Sequence, residues 1–117
     1  MEGRFAYNKK EVFEGNLTKA GYSNHKCIAA DAAEFDFGAL APIDVMLLDV
    51  DLYLPTKAVL AHVVKHLNGR AGIMVDDCQP NSLWDGSDQA YNEFLQAQGR
   101  SRVIIGTKGG VFEKPDR

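Results

Sequence analysis

Four aspartates in two closely spaced pairs are the residues of this sequence most able to do chemistry. Asp49 and Asp51 follow one apolar run, and the adjacent Asp76 and Asp77 follow another. Carboxylates held close together repel one another and raise one another's pKa unless a cation lies between them. Carboxylate oxygens favour a hard divalent ion, of which magnesium is the first choice. A lone aspartate at a strand end more often faces water or caps a turn, but two acidic pairs favour a metal site.

The elements before each pair determine whether the aspartates can meet. The run Ile43–Leu48 predicts a strand that is almost uniformly apolar, as in a sheet covered on both faces. A helix from Pro55 to Leu67, ended by Asn68-Gly69, and a strand over Ala71–Val75 are predicted to follow. Ligands of open parallel sheets bind beyond the carboxyl ends of the strands. If these two strands are neighbours, all four aspartates lie at one rim.

The rest of the chain continues the alternation of helical and extended patterns. In order, the other predicted elements are a helix over Lys9–Ala20, a strand over His25–Ala30, a helix over Ser87–Gln98, and strands over Arg102–Thr107 and Val111–Lys114. Lys108-Gly109-Gly110 is a hairpin turn signal between the last two. The order predicts an α/β fold in one domain over residues 1–117. It is expected to be a partial, Rossmann-like three-layer sandwich with a mostly parallel sheet and an antiparallel C-terminal hairpin.

Composition excludes several classes of partner. A net charge of −3 leaves no broad basic surface for nucleic acid. No run approaches the roughly 18 apolar residues of a membrane span, and the first residues contain no apolar signal core. Cys27 and Cys78 are expected to be reduced thiols, and the cysteines and histidines lack the spacing of a zinc site. We therefore expect a cytoplasmic protein with neither nucleic-acid nor membrane partners.

The segment around the first acidic pair resembles a known family. Residues 43–53, Ile-Asp-Val-Met-Leu-Leu-Asp-Val-Asp-Leu-Tyr, and then Pro55-Thr56 are similar to the "hhhhDxDLYxPT" segment of the macrocin O-methyltransferase family (TylF/MycF-like). In that family a helix, a Gly-rich turn, an apolar strand with an Asp-Asp pair and a Trp-containing loop follow. This chain continues in the same order through Leu67–Gly72, Ile73–Asp77 and Trp84-Asp85-Gly86. The resemblance covers nearly the whole chain, and its combined spacing is fairly specific.

The resemblance implies a metal-dependent, class I O-methyltransferase that uses S-adenosylmethionine on a hydroxyl of a sugar or other natural product. Carried over by position, it implies Mg²⁺ ligands at Asp49, Asp76 and Asp77, catalytic roles for Asp49 and Asp51, substrate contacts by Tyr53 and Trp84, and a cofactor contact near the adenine by Asp31 and Ala32. In such a site the metal fixes the acceptor hydroxyl and lowers its pKa. Methyl transfer itself then depends mainly on orientation.

The segments that bind most of the cofactor in such enzymes are not found in this sequence. A class I methyltransferase begins with a strand, a Gly-rich turn, a helix and a second strand, whereas only residues 1–8 precede the first predicted helix. The sequence therefore predicts a fragment truncated at its N-terminus, with doubtful cofactor binding and weak or absent activity alone. Its strand Ile43–Leu48 would have an open apolar edge. We expect this edge to be covered in one of three ways: by a homo-oligomer formed through pairing with another chain, by a swapped element, or by re-docking of the N-terminal segment.

Two other classes compete with the methyltransferase interpretation. In a haloacid-dehalogenase-like, Mg²⁺-dependent phosphatase, Asp49 would be the nucleophile, Asp51 the general acid, and Asp76 and Asp77 metal ligands. The two acidic segments lie too close together to contain the Ser/Thr strand and the Lys that such enzymes place between them. Asp-x-Asp also occurs in nucleotide-sugar glycosyltransferases, which leaves the second pair unexplained. The remaining hypothesis is a non-catalytic, oligomeric α/β protein from a truncated gene.

Overall fold

The computed structural model describes residues 9–80 and 85–114, and the chain divides into two compact units, residues 1–31 and 32–117. The described part of the first unit contains helix α1 (Lys10–Lys19), which agrees with the predicted helix to within a residue at each end. None of its residues is buried, and Val12 and Phe13 are about half exposed. The apolar side of α1 therefore has no core to pack against within the described residues of its own unit.

The strand predicted over His25–Ala30 is wrong. These residues form an irregular segment, and all of them except Cys27 are exposed. A strand is stable only when its main chain pairs with another, and no strand of the described residues pairs with this segment. The residue types of this segment are therefore not sufficient to make it a strand.

The second unit contains a mixed sheet and two helices. Its elements in order are β1 (Ile43–Leu48), α2 (Tyr53–Val63), β2 (Leu67–Val75), α3 (Gly86–Gln98), β3 (Ile104–Ile105) and β4 (Gly109–Glu113), with short 3₁₀ turns over Phe37–Leu40 and Val64–His66. The strand order is β1-β2-β4-β3. The α/β class and the antiparallel C-terminal hairpin are confirmed. However, only the β1–β2 pairing is parallel, because the hairpin pairs directly with β2 in the antiparallel sense.

Helix α2 begins and ends earlier than the sequence predicts. It starts at Tyr53, after extended Leu52, so Pro55 lies in the first turn, where a missing N–H breaks no helical hydrogen bond. The helix changes to a 3₁₀ turn after Val63, and the chain is already extended at Leu67. The register with β1 is irregular between Ile43 and Val45, so the segment that contains Asn68-Gly69 belongs to a distorted start of β2 rather than to a helix stop.

Both helices of this unit pack on one face of the sheet. The fully or largely buried side chains of the core are Leu48, Ile73, Val75 and Phe112 from the strands, Val59, Leu60 and Val63 from α2, and Tyr91 and Leu95 from α3. The buried residues of each helix recur at spacings of three and four residues, as expected for a helix that packs its apolar side on a sheet.

The other face of the sheet is exposed within this unit. Val45 and Leu47 of β1 are 80% and 67% exposed, and Met74 and Ile105 are partly exposed on neighbouring strands. The expectation that Ile43–Leu48 is covered on both faces is therefore not met here. Strand β1 lies at the end of the strand order, so its outer edge has no ladder partner among the described residues.

No helix within residues 9–80 and 85–114 combines the length and the apolar character that crossing a bilayer requires.

Candidate metal centre

The carboxyl ends of β1 and β2 meet at one rim of the sheet, which we call the acidic rim. Leu48 and Val75 are register partners in the parallel pairing. The N–H of Asp76 donates to the carbonyl of Leu48 at 2.9 Å, which extends the ladder by one step. Asp49 and Asp76 therefore leave the sheet side by side, as the neighbouring-strand prediction requires.

Three aspartates of the rim are close enough to share one ion. Asp49, Asp76 and Asp77 each offer a carboxylate oxygen, and these oxygens lie within 4.8 Å of one another. Asp49 is exposed, whereas Asp76 and Asp77 are half-buried. Three carboxylates that remain open to water fit a hard divalent ion such as Mg²⁺, which keeps several of its waters when bound. The structure thus brings together the three predicted ligands, and their occupation by Mg²⁺ stays a prediction.

Asp51 completes a group of four carboxyl groups at the rim. Its partial burial, a side-chain hydrogen bond with Asp77 and the charge of Asp49 together raise the pKa of Asp51 from 3.8 to about 6. Asp51 and Asp77 have positive φ angles of 63° and 59°, a conformation that aspartate adopts more readily than most residues. A left-handed residue therefore follows each of the two strands, which is a local backbone cost concentrated at the candidate site.

Replacing Asp51 by asparagine is expected to stabilise the metal-free protein at neutral pH but not at pH 3.5. The raised folded-state pKa means that Asp51 favours the folded state fully below pH 3.8, and that this contribution is lost as the pH rises through about 6. Because the side chain is half exposed, solvent screening should limit the gain at pH 7.5 to less than about 1 kcal/mol. Thermal melts in EDTA at the two pH values measure the difference. Asparagine is chosen because it adopts a positive φ angle readily. Glu34→Gln, which changes an exposed acid before β1, is the control. An equal change in melting temperature at both pH values for Asp51→Asn would contradict the prediction.

Lys108 is a charged residue of the rim that the sequence analysis missed. Its Nζ lies 3.0 Å from Oδ1 of Asp77 and 3.4 Å from Oδ1 of Asp76. The hydrogen bond with Asp77 and the charges of both aspartates raise the pKa of Lys108. No local signal in the sequence places it there: β4 runs antiparallel to β2 with Gly110 opposite Val75, and this register brings the turn before β4 back to the rim where β2 ends.

The first turns of α2 and α3 pack tightly against each other beside this rim. Thr56 is fully buried, and its hydroxyl donates to the carbonyl of Leu52 at 2.7 Å and lies 3.4 Å from the hydroxyl of Ser87. A Cβ added to Gly86 would lie only 2.8 Å from the main-chain nitrogen of Tyr53. The Pro-Thr motif and the glycine that begins α3 therefore allow the two helix starts to approach closely.

Tyr53 was predicted to line the acceptor side of the site. Its hydroxyl donates to the carboxylate of Glu93 on α3, with oxygen distances of 2.6 and 2.8 Å, and accepts a hydrogen bond from Lys57 Nζ at 3.0 Å. The hydroxyl is therefore used in a contact between α2 and α3 in this structure. A role of Tyr53 toward an acceptor stays a prediction.

For the other predicted site residues, the structure does not test the predicted role. Trp84, predicted to pack on the substrate, lies outside the described residues. Asp31 is exposed at the end of the first unit, whereas Ala32 is half-buried and packs against the core of the second unit. Their predicted contact with a cofactor near the adenine therefore remains a prediction.

Comparison with solved structures identifies the fold to which this arrangement belongs. The apo structure of CalS11, a TDP-rhamnose 3'-O-methyltransferase of calicheamicin biosynthesis, is 24% identical with a TM-score of 0.61 and is matched over 76% of this chain and 41% of that chain. A second structure of this calicheamicin methyltransferase gives 22% identity, a TM-score of 0.62, and coverage of 76% and 37%. The matched residues have a fold similar to that of part of CalS11. The chain thus spans about two fifths of the length of these structures.

Sequence comparison adds no closer relationship. No protein-family model matches the chain, and no curated protein matches it. The likeness to CalS11, at below 25% identity, establishes the fold and leaves the activity open. The resemblance to the macrocin O-methyltransferase family therefore stays a prediction.

Proposed function

We propose that this chain is the metal- and acceptor-binding part of a magnesium- and S-adenosylmethionine-dependent O-methyltransferase that acts on a hydroxyl of a sugar or another small natural product. The observation that carries the proposal is the convergence of Asp49, Asp76 and Asp77 at one rim. This rim lies where ligands bind in α/β sheets, in a fold similar to that of a sugar O-methyltransferase.

The rim residues divide the proposed chemistry between them. Asp49, Asp76 and Asp77 would hold Mg²⁺, which when bound lowers the pKa of the acceptor hydroxyl and fixes its oxygen. Asp51 would accept the hydroxyl proton on its carboxylate, because its side chain lies beside the proposed ligands and shares a hydrogen bond with Asp77. Trp84 and Tyr53 would contact the acceptor, as the family resemblance implies.

The 117-residue polypeptide is expected to bind S-adenosylmethionine weakly. S-adenosylmethionine would supply the methyl group, with Asp31 and Ala32 near its adenine. The aligned part corresponds to about two fifths of each CalS11 structure. We therefore propose that the polypeptide by itself binds the acceptor with Mg²⁺ but transfers methyl groups slowly or not at all.

Acceptor binding measured by saturation-transfer NMR tests this function. TDP-rhamnose and simple deoxysugars are the probes, each with Mg²⁺ or with EDTA. We expect acceptor signals that need Mg²⁺ and that Asp49→Asn removes, while Asp44→Asn, at the start of the same strand, leaves them unchanged. Metal-independent binding would contradict the proposed role of the rim, and so would no binding of any probe at millimolar concentration. Phosphatase turnover of p-nitrophenyl phosphate with Mg²⁺ would instead favour Asp49 as a nucleophile.

Self-association is the second part of the proposal. The outer edge of β1, with which no described strand pairs, and the exposed Val45 and Leu47 of this strand support a homo-oligomer built on it. The same surface suits the non-catalytic alternative, an oligomeric α/β protein. Light scattering on the NMR samples gives the mass, and a monomer at all concentrations would contradict this part alone.

A further inference from the structure

Lys108 already neutralises part of the acidic rim from within the chain. Its ammonium contacts two of the three carboxylates that converge there, at 3.0 Å from Asp77 Oδ1 and at 3.4 Å from Asp76 Oδ1. The ammonium and a divalent ion would therefore draw on the same carboxylate oxygens. Both cannot approach them closely at once, because like charges repel strongly at contact distance.

The backbone of Lys108 is held by a hydrogen bond, while its side chain is partly exposed to water. The carbonyl of Lys108 accepts a hydrogen bond of 2.8 Å from the N–H of Cys78, which directly follows the aspartate pair. The next two residues, Gly109 and Gly110, are buried in β4. The side chain is nevertheless 48% exposed. A lysine anchored in this way keeps its ammonium near the rim, and it can also swing into water when another cation arrives.

We infer that Lys108 is a built-in counter-ion of the acidic rim that competes with a divalent metal ion for Asp76 and Asp77. The inference rests on the proposed metal site. Without an ion, Lys108 reduces the repulsion among the rim carboxylates and holds the hairpin turn against the Asp76–Cys78 segment. For an ion to bind, the ammonium must leave these carboxylates. Lys108 therefore lowers metal affinity and limits occupation of the rim to ions that are abundant or strongly bound.

Calorimetric titration of Mg²⁺ into charge-neutral and charge-retaining variants tests this competition. Lys108→Met should bind Mg²⁺ about tenfold more tightly than the unmodified chain, as expected for the loss of one partly exposed opposing charge. Lys108→Arg should bind as weakly as the unmodified chain, because it keeps the charge. Lys65→Met, which removes an exposed lysine from the 3₁₀ turn after α2, is the control and should not change the affinity.

The outcomes separate this inference from the metal site itself. Binding by the unmodified chain and by Lys108→Met with equal affinity, or more weakly by the variant, would overturn the inference and leave the metal site intact. Absence of binding by both proteins would overturn both. Asp76→Asn combined with Lys108→Met should lose the gain in affinity, which shows that the tighter binding is at the rim.

Chemical labelling provides a second readout that does not depend on the folding of a variant. Acetylation of lysines in the unmodified chain, quantified for each residue by mass spectrometry, should increase at Lys108 when Mg²⁺ is added, because the ammonium has been released into water. Lys65 should be acetylated equally in both conditions. Protection of Lys108 by Mg²⁺, or an unchanged rate at saturating ion, would contradict the inference.

Discussion

Replacing Gly110 by alanine is expected to destabilise the protein by about 3 kcal/mol or more, which is a large part of the stability of a small domain. An added Cβ would lie 2.6 Å from Sγ of Cys78 and 2.8 Å from Cε2 of Tyr91. Both side chains are fully buried. The Tyr91 hydroxyl is also held by the N–H of Val103, at 3.2 Å. Neither neighbour can move away cheaply, so the new methyl group must distort the core.

Urea denaturation of matched glycine variants measures this effect. Gly72→Ala is the control, because a Cβ at this position of β2 meets its nearest atom at an ordinary 3.9 Å, and its stability should change by less than about 1 kcal/mol. Adding Cys78→Ala to Gly110→Ala should recover part of the loss, since it removes the closer of the two clashes. Equal stabilities for the Gly110 and Gly72 variants would contradict the close packing of Gly110 against Cys78 and Tyr91.

Replacing Arg102 by methionine should cost about 2 to 4 kcal/mol, because it leaves a largely buried carboxylate without its charged partner. The guanidinium of Arg102 pairs with Asp88 in the first turn of α3, whose side chain is only 9% exposed. It also donates to the side chain of Asn92 at 2.7 Å and to the carbonyl of Cys78 at 2.9 Å. One side chain thus connects α3, the segment after β2 and the chain leading into β3. The partial exposure of the arginine itself keeps the estimate below that for a fully buried pair.

Arg100 provides the matched control for this prediction. It lies two residues away, and its guanidinium is 5.6 Å from the ring centroid of Phe112, a cation–π contact at the surface. Arg100→Met should therefore cost less than about 1 kcal/mol. The double variant Arg102→Met with Asp88→Leu should be more stable than Arg102→Met alone, since no buried charge is left. If the two arginine variants had equal free energies of unfolding in urea, the hydrogen-bond network around Asp88 would not contribute the predicted stability.

Strand β1, helix α3 and the parallel pairing of β1 with β2 were predictable because local pattern and tertiary position agree there. The apolar run Ile43–Leu48 predicts β1 with the same first and last residues that the structure has. Helix α3 differs from its prediction only because it begins one residue earlier, at Gly86. The helix between β1 and β2 is typical of a parallel pair of strands, and this pairing places Asp49 and Asp76 at one rim. Such agreement arises where spacing, crossover length and charge all favour one arrangement.

The failures occurred where a distant partner decides the local structure. His25–Ala30 has the composition of a strand but lacks a pairing partner in the described part of the chain, so it is irregular. Asn68-Gly69 looked like a helix stop, but β1 recruits this segment into a strand beginning at Leu67. Lys108 was assigned to a turn, and only the antiparallel register of β4 shows that this turn returns to the acidic rim. Local sequence does not contain these pairings.

An anomalous-scattering map from crystals soaked in Mn²⁺ would show whether the acidic rim holds a divalent ion, because Mn²⁺ takes the same oxygen ligands as Mg²⁺ and can be located without ambiguity. We expect one strong peak at the acidic rim, bonded to carboxylate oxygens of Asp49, Asp76 and Asp77, with Lys108 turned away from them. A peak bound by other residues would contradict this expectation. So would a rim without a peak at a concentration that fills other sites in the crystal.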